Sequence, residues 1–334
     1  MAQRLARCPE RAPCCWEASR SRARANNTST TFSGSIGGNG TLIKSGTGTM
    51  TLSGTNLHLG GTTVTEGTLA LSGAGSLMSS STVTVLAGAT LDTTGRAAAN
   101  MIVGDLLGEG TVQLGNKMLT VGSGAGTQAI FSGVGGSLVK QGAGTVWLDG
   151  TNTFTGLTDV VAGKLVVGSD ATKSSARVAG AMNVASGATL GGHGRIGGNV
   201  GIASGAHLAP GNSIGTLTID GDLGIAKGGV LDFEFGAPGT AAAPGLSDSV
   251  AVGGNLTLNG AMLNVSNTGA MGQGLYNLFS YGGALTQTNG GIALASWSAG
   301  SFSLQYLTGS KQVNLISFSP AAVLNFWNAN GLAS

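Results

Sequence analysis

Apolar residues fall at every second position in short bursts along most of the chain. Val83/Val85, Leu119/Val121, Leu165/Val167, Leu217/Ile219, Leu231/Phe233/Phe235, Leu256/Leu258, Leu263/Val265, Phe302/Leu304/Tyr306 and Val313/Leu315 all alternate in this way, bounded by Gly, Asn, Asp or Ser. Alternation over so few residues is the pattern of a short half-buried strand. Helical periodicity is weak and confined to Gly95–Asp105, with a turn expected near Ala321–Asn328. Glycine every few residues argues against long helices, at roughly 1 kcal/mol per glycine in a helix interior. The pattern predicts an all-β chain.

The bursts also repeat. Leu42–Leu69 and Leu138–Leu165 align without a gap at an offset of 96 residues (138 − 42). They share Leu42/Leu138, Lys44/Lys140, Gly46/Gly142, Gly48/Gly144, Leu52/Leu148, Gly54/Gly150 and Asn56/Asn152, among others. A shorter Gly-Ala-x-Leu pattern, or a close variant, ends at Leu91, Leu190, Leu208, Leu231 and Leu263, and its steps from Leu190 onward widen along the chain. Gly198-Asn-Val200, Gly221-Asp-Leu223 and Gly254-Asn-Leu256 open three successive units, and the longest step holds an inserted Pro/Gly/Ala loop, Gly236–Asp248.

Units of about 20 residues cannot bury an apolar face alone, but stacked coils can. The expected architecture is a right-handed parallel β-helix, with an ordinary β-sandwich as the runner-up. On this reading the offset holds about four coils of ~24 residues. Leu and Val point inward, Thr and Ser outward, and Gly and Asn take corners that need positive φ.

Composition narrows this picture. The chain has 334 residues, 61 of them Gly, without a Gly-X-Y period, so it is not collagen-like. With 41% hydrophobic residues and a net charge of +2 it has apolar surface to bury and no electrostatic case for nucleic acid. Six of the sixteen basic residues are arginines in the first 24 positions; from Ala25 onward 10 basic residues face 12 acidic ones. Residues 1–25 also hold all three cysteines, Cys8, Cys14 and Cys15, and lack the apolar core of a secretory signal. They are expected to be a disordered tail or a mis-called start. Residues 26–320 form the expected β-helical region, and 321–334 begin a further coil or fray. A cysteine-free body suits an exported protein.

Leu138–Gly156, LVKQGAGTVWLDGTNTFTG, resembles the autotransporter-associated β-strand repeat: Leu-x-Lys-x-Gly-x-Gly-Thr-x-x-Leu-x-Gly-x-Asn-x-Tyr/Phe-x-Gly. The copy at Leu42–Gly60 departs from it at His58, where an aromatic residue is usual. His207–Gly224, HLAPGNSIGTLTIDGDLG, is similar to a Leu-Ala-Pro-Gly-Asn-Ser-Ile-Gly-Thr-Leu segment of the same passenger domains, and Gly274–Leu285 and Val323–Trp327 are similar to their later sections. The resemblance implies a type V secretion passenger, at the cell surface or outer membrane of a Gram-negative bacterium or secreted from it. Its implied partners are a C-terminal outer-membrane β-barrel translocator and a host-cell or glycan receptor. No cofactor and no catalytic residue come with it. The chain shows neither a signal peptide nor the alternating segments of a barrel, so it reads as a fragment. The implied function is a non-enzymatic stalk for adhesion or display that also serves as a folding scaffold during secretion.

Other chemistry is sparse. Gly192–Gly197 spells G-x-G-x-x-G, but GNVGIASGAHLAPG after it cannot be the helix that a dinucleotide site needs. Asp220/Asp222 and Asp232/Glu234 are the best carboxylate pairs for a polysaccharide-acting β-helical lyase or hydrolase, the alternative function. The bland reading makes Asp220-Gly221 a turn and leaves the carboxylates solvated. His58, His193 and His207 are scattered and read as surface residues. Lys44 and Lys140 invite a ligand, yet the favoured expectation is that they face outward and discourage edge-to-edge pairing.

Overall fold

The computed structural model describes residues 21–24, 27–77, 81–122, 127–128, 130–133, 135–240, 245–294 and 301–318. The three cysteines, Ala321–Asn328 and the rest of 319–334 lie outside the described residues. The expected all-β parallel solenoid is what the chain forms. Among the described residues there is no α-helix, and Gly95–Asp105, which carried the weak helical signal, lies within and between the strands Thr90–Arg96, Asn100–Val103 and Asp105–Leu107. Its apolar residues go to a sheet: Met101 and Val103 point inward and Ile102 outward, with a period of two.

Strands stack in parallel on three faces. The first face runs through Ser21–Arg24, Leu42–Ser45, Thr62–Val64, Thr82–Val85 and Asp105–Leu107. Thr127–Gln128 lies next on it, followed by Thr145–Leu148, Lys164–Val167, Thr189–Gly192, His207–Pro210 and Val230–Phe235. The second face begins at Thr30–Phe32 and passes through Thr49–Leu52, Thr68–Gly73, Thr90–Arg96, Thr111–Gln113 and Ile130–Ser132. Thr153 N–H, donating to the Phe131 carbonyl at 3.0 Å, carries it on to Thr151–Asn152, Arg177–Val178 and Arg195–Ile196. The third face holds Asn100–Val103, Met118–Val121, Ser137–Lys140, Thr158–Val160, Met182–Val184, Val200–Ile202 and Leu223–Ile225 in order. Ser21–Arg24, within the stretch expected as a tail, pairs in parallel with Leu42–Ser45.

Register follows the sequence pattern closely in the second half. Leu190 pairs with Leu208, Leu208 with Leu231, and Leu231 with Leu263. The widening leucine steps are therefore the coil lengths themselves. Val200, Leu223 and Leu256 stack likewise. The first half differs from expectation. Leu42 pairs with Thr62 and Leu138 with Thr158. Each repeat coil is thus shorter than the expected length of ~24 residues. Four coil steps from Leu42–Ser45 lead to Thr127–Gln128, and Ser137–Lys140 comes two faces later. The two copies thus occupy different faces, the first opening on the first face and the second on the third.

Inward residues form one continuous core, with Leu52, Leu69, Leu91, Leu148, Leu165, Leu190, Leu208 and Leu231 all fully buried. Each buried Leu or Val contributes roughly 1.5–3 kcal/mol of apolar transfer energy. Aromatic pairs fill wider points: Phe131 meets Phe154 edge-on at 6.0 Å, and Phe235 meets Tyr276 at 5.3 Å. The parallel pattern ends in antiparallel pairing of Gly274–Tyr281 with Gln312–Phe318, which in turn pairs with Ser301–Leu307.

Candidate functional site

The repeat coil is built around two internal polar side chains. In Leu42–Ser45, alternation that sends Leu42 inward also sends Lys44 inward, and Lys44 is fully buried. Its Nζ donates to the carbonyls of Gly46 (2.6 Å), Glu66 (3.0 Å) and Ser45 (3.3 Å). Lys140, 1% exposed, donates to Gln141 (2.6 Å), Gly142 (2.7 Å) and Ala162 (3.0 Å). An ammonium has three donors and no acceptor, so each is fully satisfied. Burial lowers the pKa of both amines from the ordinary lysine value; at Lys44 the Glu66 charge opposes the shift. The expectation that these lysines guard an exposed edge is corrected: they are internal ties between consecutive coils. Gly46 and Gly142, whose carbonyls they hold, turn the chain at φ of +82° and +71°, where a side chain would be strained.

Asn56 and Asn152 are equally buried. Asn56 Oδ1 accepts Ile36 N–H (3.1 Å), while its Nδ2 donates to Gly54 O (2.9 Å) and Ser76 O (3.0 Å). Asn152 accepts Phe131 N–H (2.8 Å) and donates to Gly150 O (3.0 Å) and Arg177 O (3.1 Å). Each asparagine bonds the coil before it, its own coil and the coil after it. Both copies keep them as hydrogen-bonding groups that satisfy backbone where the strands stop.

The expectation that the repeat's Gly and Asn residues take positive φ at corners holds for Gly46 and Gly142 and for Gly67 and Gly163, at +61° and +69°, and fails at the others. Gly48, Gly144, Gly54, Gly150, Asn56 and Asn152 all lie outside the positive-φ region. Close approach between coils explains three of these glycines, Gly48, Gly54 and Gly150, and a Cβ on Gly54 would run into the Gly34 carbonyl oxygen. A Cβ on Gly48 would sit 2.7 Å from the Thr28 backbone, and one on Gly150 would sit 2.7 Å from the Ile130 side chain. The carbonyls of Gly48 and Gly144 also tie coils together: they accept Thr68 N–H (3.3 Å) and Lys164 N–H (3.1 Å) from the coil that follows.

Three of the four paired carboxylates, Asp220, Asp222 and Asp232, are held by partners. Asp220 takes Arg195 at 2.6 Å and Arg177 at 3.5 Å, two arginines at the same register in stacked coils. Asp222 caps the next coil by accepting Asn255 N–H at 2.7 Å. Asp232 pairs with His207 Nδ1 at 2.6 Å and accepts Asn264 Nδ2 at 2.7 Å. Partners that the sequence could not place nearby come from neighbouring coils.

Two histidines contradict the surface reading. His58 is 1% exposed and His193 8%, because each takes an inward position; only His207 is half-exposed. The G-x-G-x-x-G run at Gly192–Gly197 enters the strand Arg195–Ile196 rather than a helix.

Asp248, which the alternation did not single out, is 1% exposed at the end of the inserted loop. It accepts Gly215 N–H (2.9 Å) and Glu234 N–H (2.8 Å). Burial pushes its carboxyl up to about 7, against those two hydrogen bonds; the Glu234 charge adds to the rise and Lys164 opposes it. An open depression of about 500 Å³ lies on the third face, floored by Asn183, Gly201, Gly224 and Thr257. Among the described residues no group of three or more His, Cys, Asp or Glu could hold a metal ion. No helix among them is long and apolar enough to cross a membrane.

The two coils built on Lys44/Asn56 and Lys140/Asn152 are the segments that a known family matches. The passenger-associated-transport-repeat model covers residues 42–71 and 138–167. The chain carries two autotransporter passenger repeats. A longer similarity accompanies them: the chain is 38% identical over 126 residues to the adhesin BmaC autotransporter of Brucella suis biovar 1 (strain 1330). That match covers 37% of this chain and 4% of the adhesin. The passenger repeats therefore sit in a solenoid that spans a small part of its relative's length.

Proposed function

We propose that the chain is a length of a surface-displayed autotransporter passenger, a non-enzymatic β-helical stalk for adhesion or display. The observation that carries this reading is the similarity to an adhesin autotransporter, in a chain stacked as a continuous parallel solenoid. In the full-length protein a C-terminal outer-membrane β-barrel would deliver it to the surface of a Gram-negative cell. The repeats suit a folding role as well. Each Lys and Asn bonds to the following coil, so a coil is completed as the next one stacks. Stacking one coil on another is a local, sequential process.

The test is fusion of residues 26–334 between an export signal and an outer-membrane barrel in a Gram-negative host. The expected result is a passenger cut by protease added to intact cells, and cells that attach to host cells or immobilised glycans above the barrel-only control. A passenger that reaches the surface without any gain in attachment overturns the adhesive role.

A further inference from the structure

We propose that His58 makes the first repeat coil an acid-sensitive joint: protonation of its ring opens Leu57–Thr62, while the second repeat stays closed. The two copies supply the comparison. At the aligned position the second repeat has Phe154, fully buried and packed on Phe131. The first has an imidazole in the same inward place. Its Nε2 is hydrogen-bonded with Thr62 Oγ1 at 2.8 Å, and its Nδ1 is buried without a partner. In the second repeat the equivalent hydroxyl, Thr158 Oγ1, is itself buried and unpartnered. The His58–Thr62 pair is thus specific to the first copy.

A neutral ring fits this place, because it needs to donate only one hydrogen. A protonated ring must donate two; Nδ1 has no hydrogen-bond partner and the Gly61 backbone offsets the cost of burial only in part, so the charge would be buried half-paired. Among the described residues, Ile36–Gly40 of the preceding coil bonds Leu57, Leu59 and Gly60, Gly61–Val64 follows the ring along the chain into the next coil, and Ser76 accepts from Asn56 beside it. None holds a titratable side chain. Its pKa is lowered by burial, opposed in part by the Gly61 backbone.

The flanking residues lower the resistance to opening. Leu57 and Leu59 point outward, 58% and 56% exposed, while the polar ring points inward. In the second repeat two threonines, Thr153 and Thr155, flank the inward Phe154. Releasing Leu57–Leu59 therefore exposes little new apolar surface and frees two leucines to turn inward. The sign is that of a group whose folded pKa is depressed: its contribution is fully present above 6.5 and is lost as pH falls through the folded value.

Hydrogen exchange read by mass spectrometry at pH 7.5 and 5.0, corrected for the intrinsic rate, tests this in the full chain. The expected result is a several-fold loss of protection at pH 5.0 in peptides covering 42–71, with 138–167 unchanged. His58→Phe should abolish that loss, and Phe154→His should transfer it to the second repeat. Equal protection of the first repeat at both pH values overturns the proposal, as does an acid loss that persists in His58→Phe. If neither variant folds, the wild-type contrast between the two repeats decides.

Discussion

Replacing Lys44 or Lys140 with methionine keeps the aliphatic stem and deletes three hydrogen bonds, leaving buried carbonyls of two consecutive coils unsatisfied. Each substitution is expected to destabilise its repeat by about 2 kcal/mol, the usual cost of orphaning buried backbone groups. A lowered urea midpoint checks this, and a midpoint equal to wild type would return the lysines to a surface role. Asn152→Leu should be at least as damaging, because the amide serves three coils and the leucine satisfies none. The lysine position was legible in principle. Leu42 and Lys44 are two apart in one strand, so the alternation that buries one must bury the other. What misleads is the prior that a lysine in a strand is solvated; the three carbonyls that reverse it come from turns 1, 2 and 22 residues away. His58 fails for the same reason. Its inward position follows from the aligned Phe154, while residue type alone suggests the surface.

Among elements, the inserted loop and its anchor make the sharpest prediction. Asp248 bonds the Gly215 turn and the strand Val230–Phe235 at once, so it fixes where the excursion Gly236–Ser247 leaves and rejoins the stack. Its folded pKa, about 7, lies above the ordinary 3.8, so folding holds the proton more tightly. The resulting stability is fully present below 3.8 and is lost as pH rises through about 7. Asp248→Asn, which keeps acceptor and shape without the titration, should flatten the pH dependence of thermal unfolding between pH 4 and pH 7.5. A slope unchanged in the variant would assign the dependence to other groups. The excursion itself was readable from its Pro/Gly/Ala composition and from the widest of the leucine steps. Asp248 was not, since nothing local shows that a carboxylate at a loop's end will be buried by the loop that follows Pro210.

The whole molecule is a stack in which each coil touches only its neighbours, and this explains why the repeat offset did not translate into a whole number of coils. Both copies spell the same inward and outward order over one coil, and nothing in that order names a face. A copy can therefore begin on any face, provided the chain between the copies fills the intervening turns; here it stops two faces beyond four full coils. Sequence similarity alone cannot detect such a rotation, whereas the leucine steps of the second half sit on a single face and reveal their register directly. The same logic predicts which deletions the solenoid tolerates. Removing Thr189–Ala206 excises one full coil by the Thr189–His207 register and lets His207–Pro210 stack on Lys164–Val167. That variant should keep its β-type circular dichroism and unfold cooperatively, with a moderate loss from the missing Arg195–Asp220 pair. Removing only half of that stretch shifts every later strand to another face, and with it the inserted loop, the Asp248 anchor and the aromatic pairs near the end. It should unfold in lower urea or fail to fold. If the two deletions proved equally tolerated, register between coils would not be what holds this stack together.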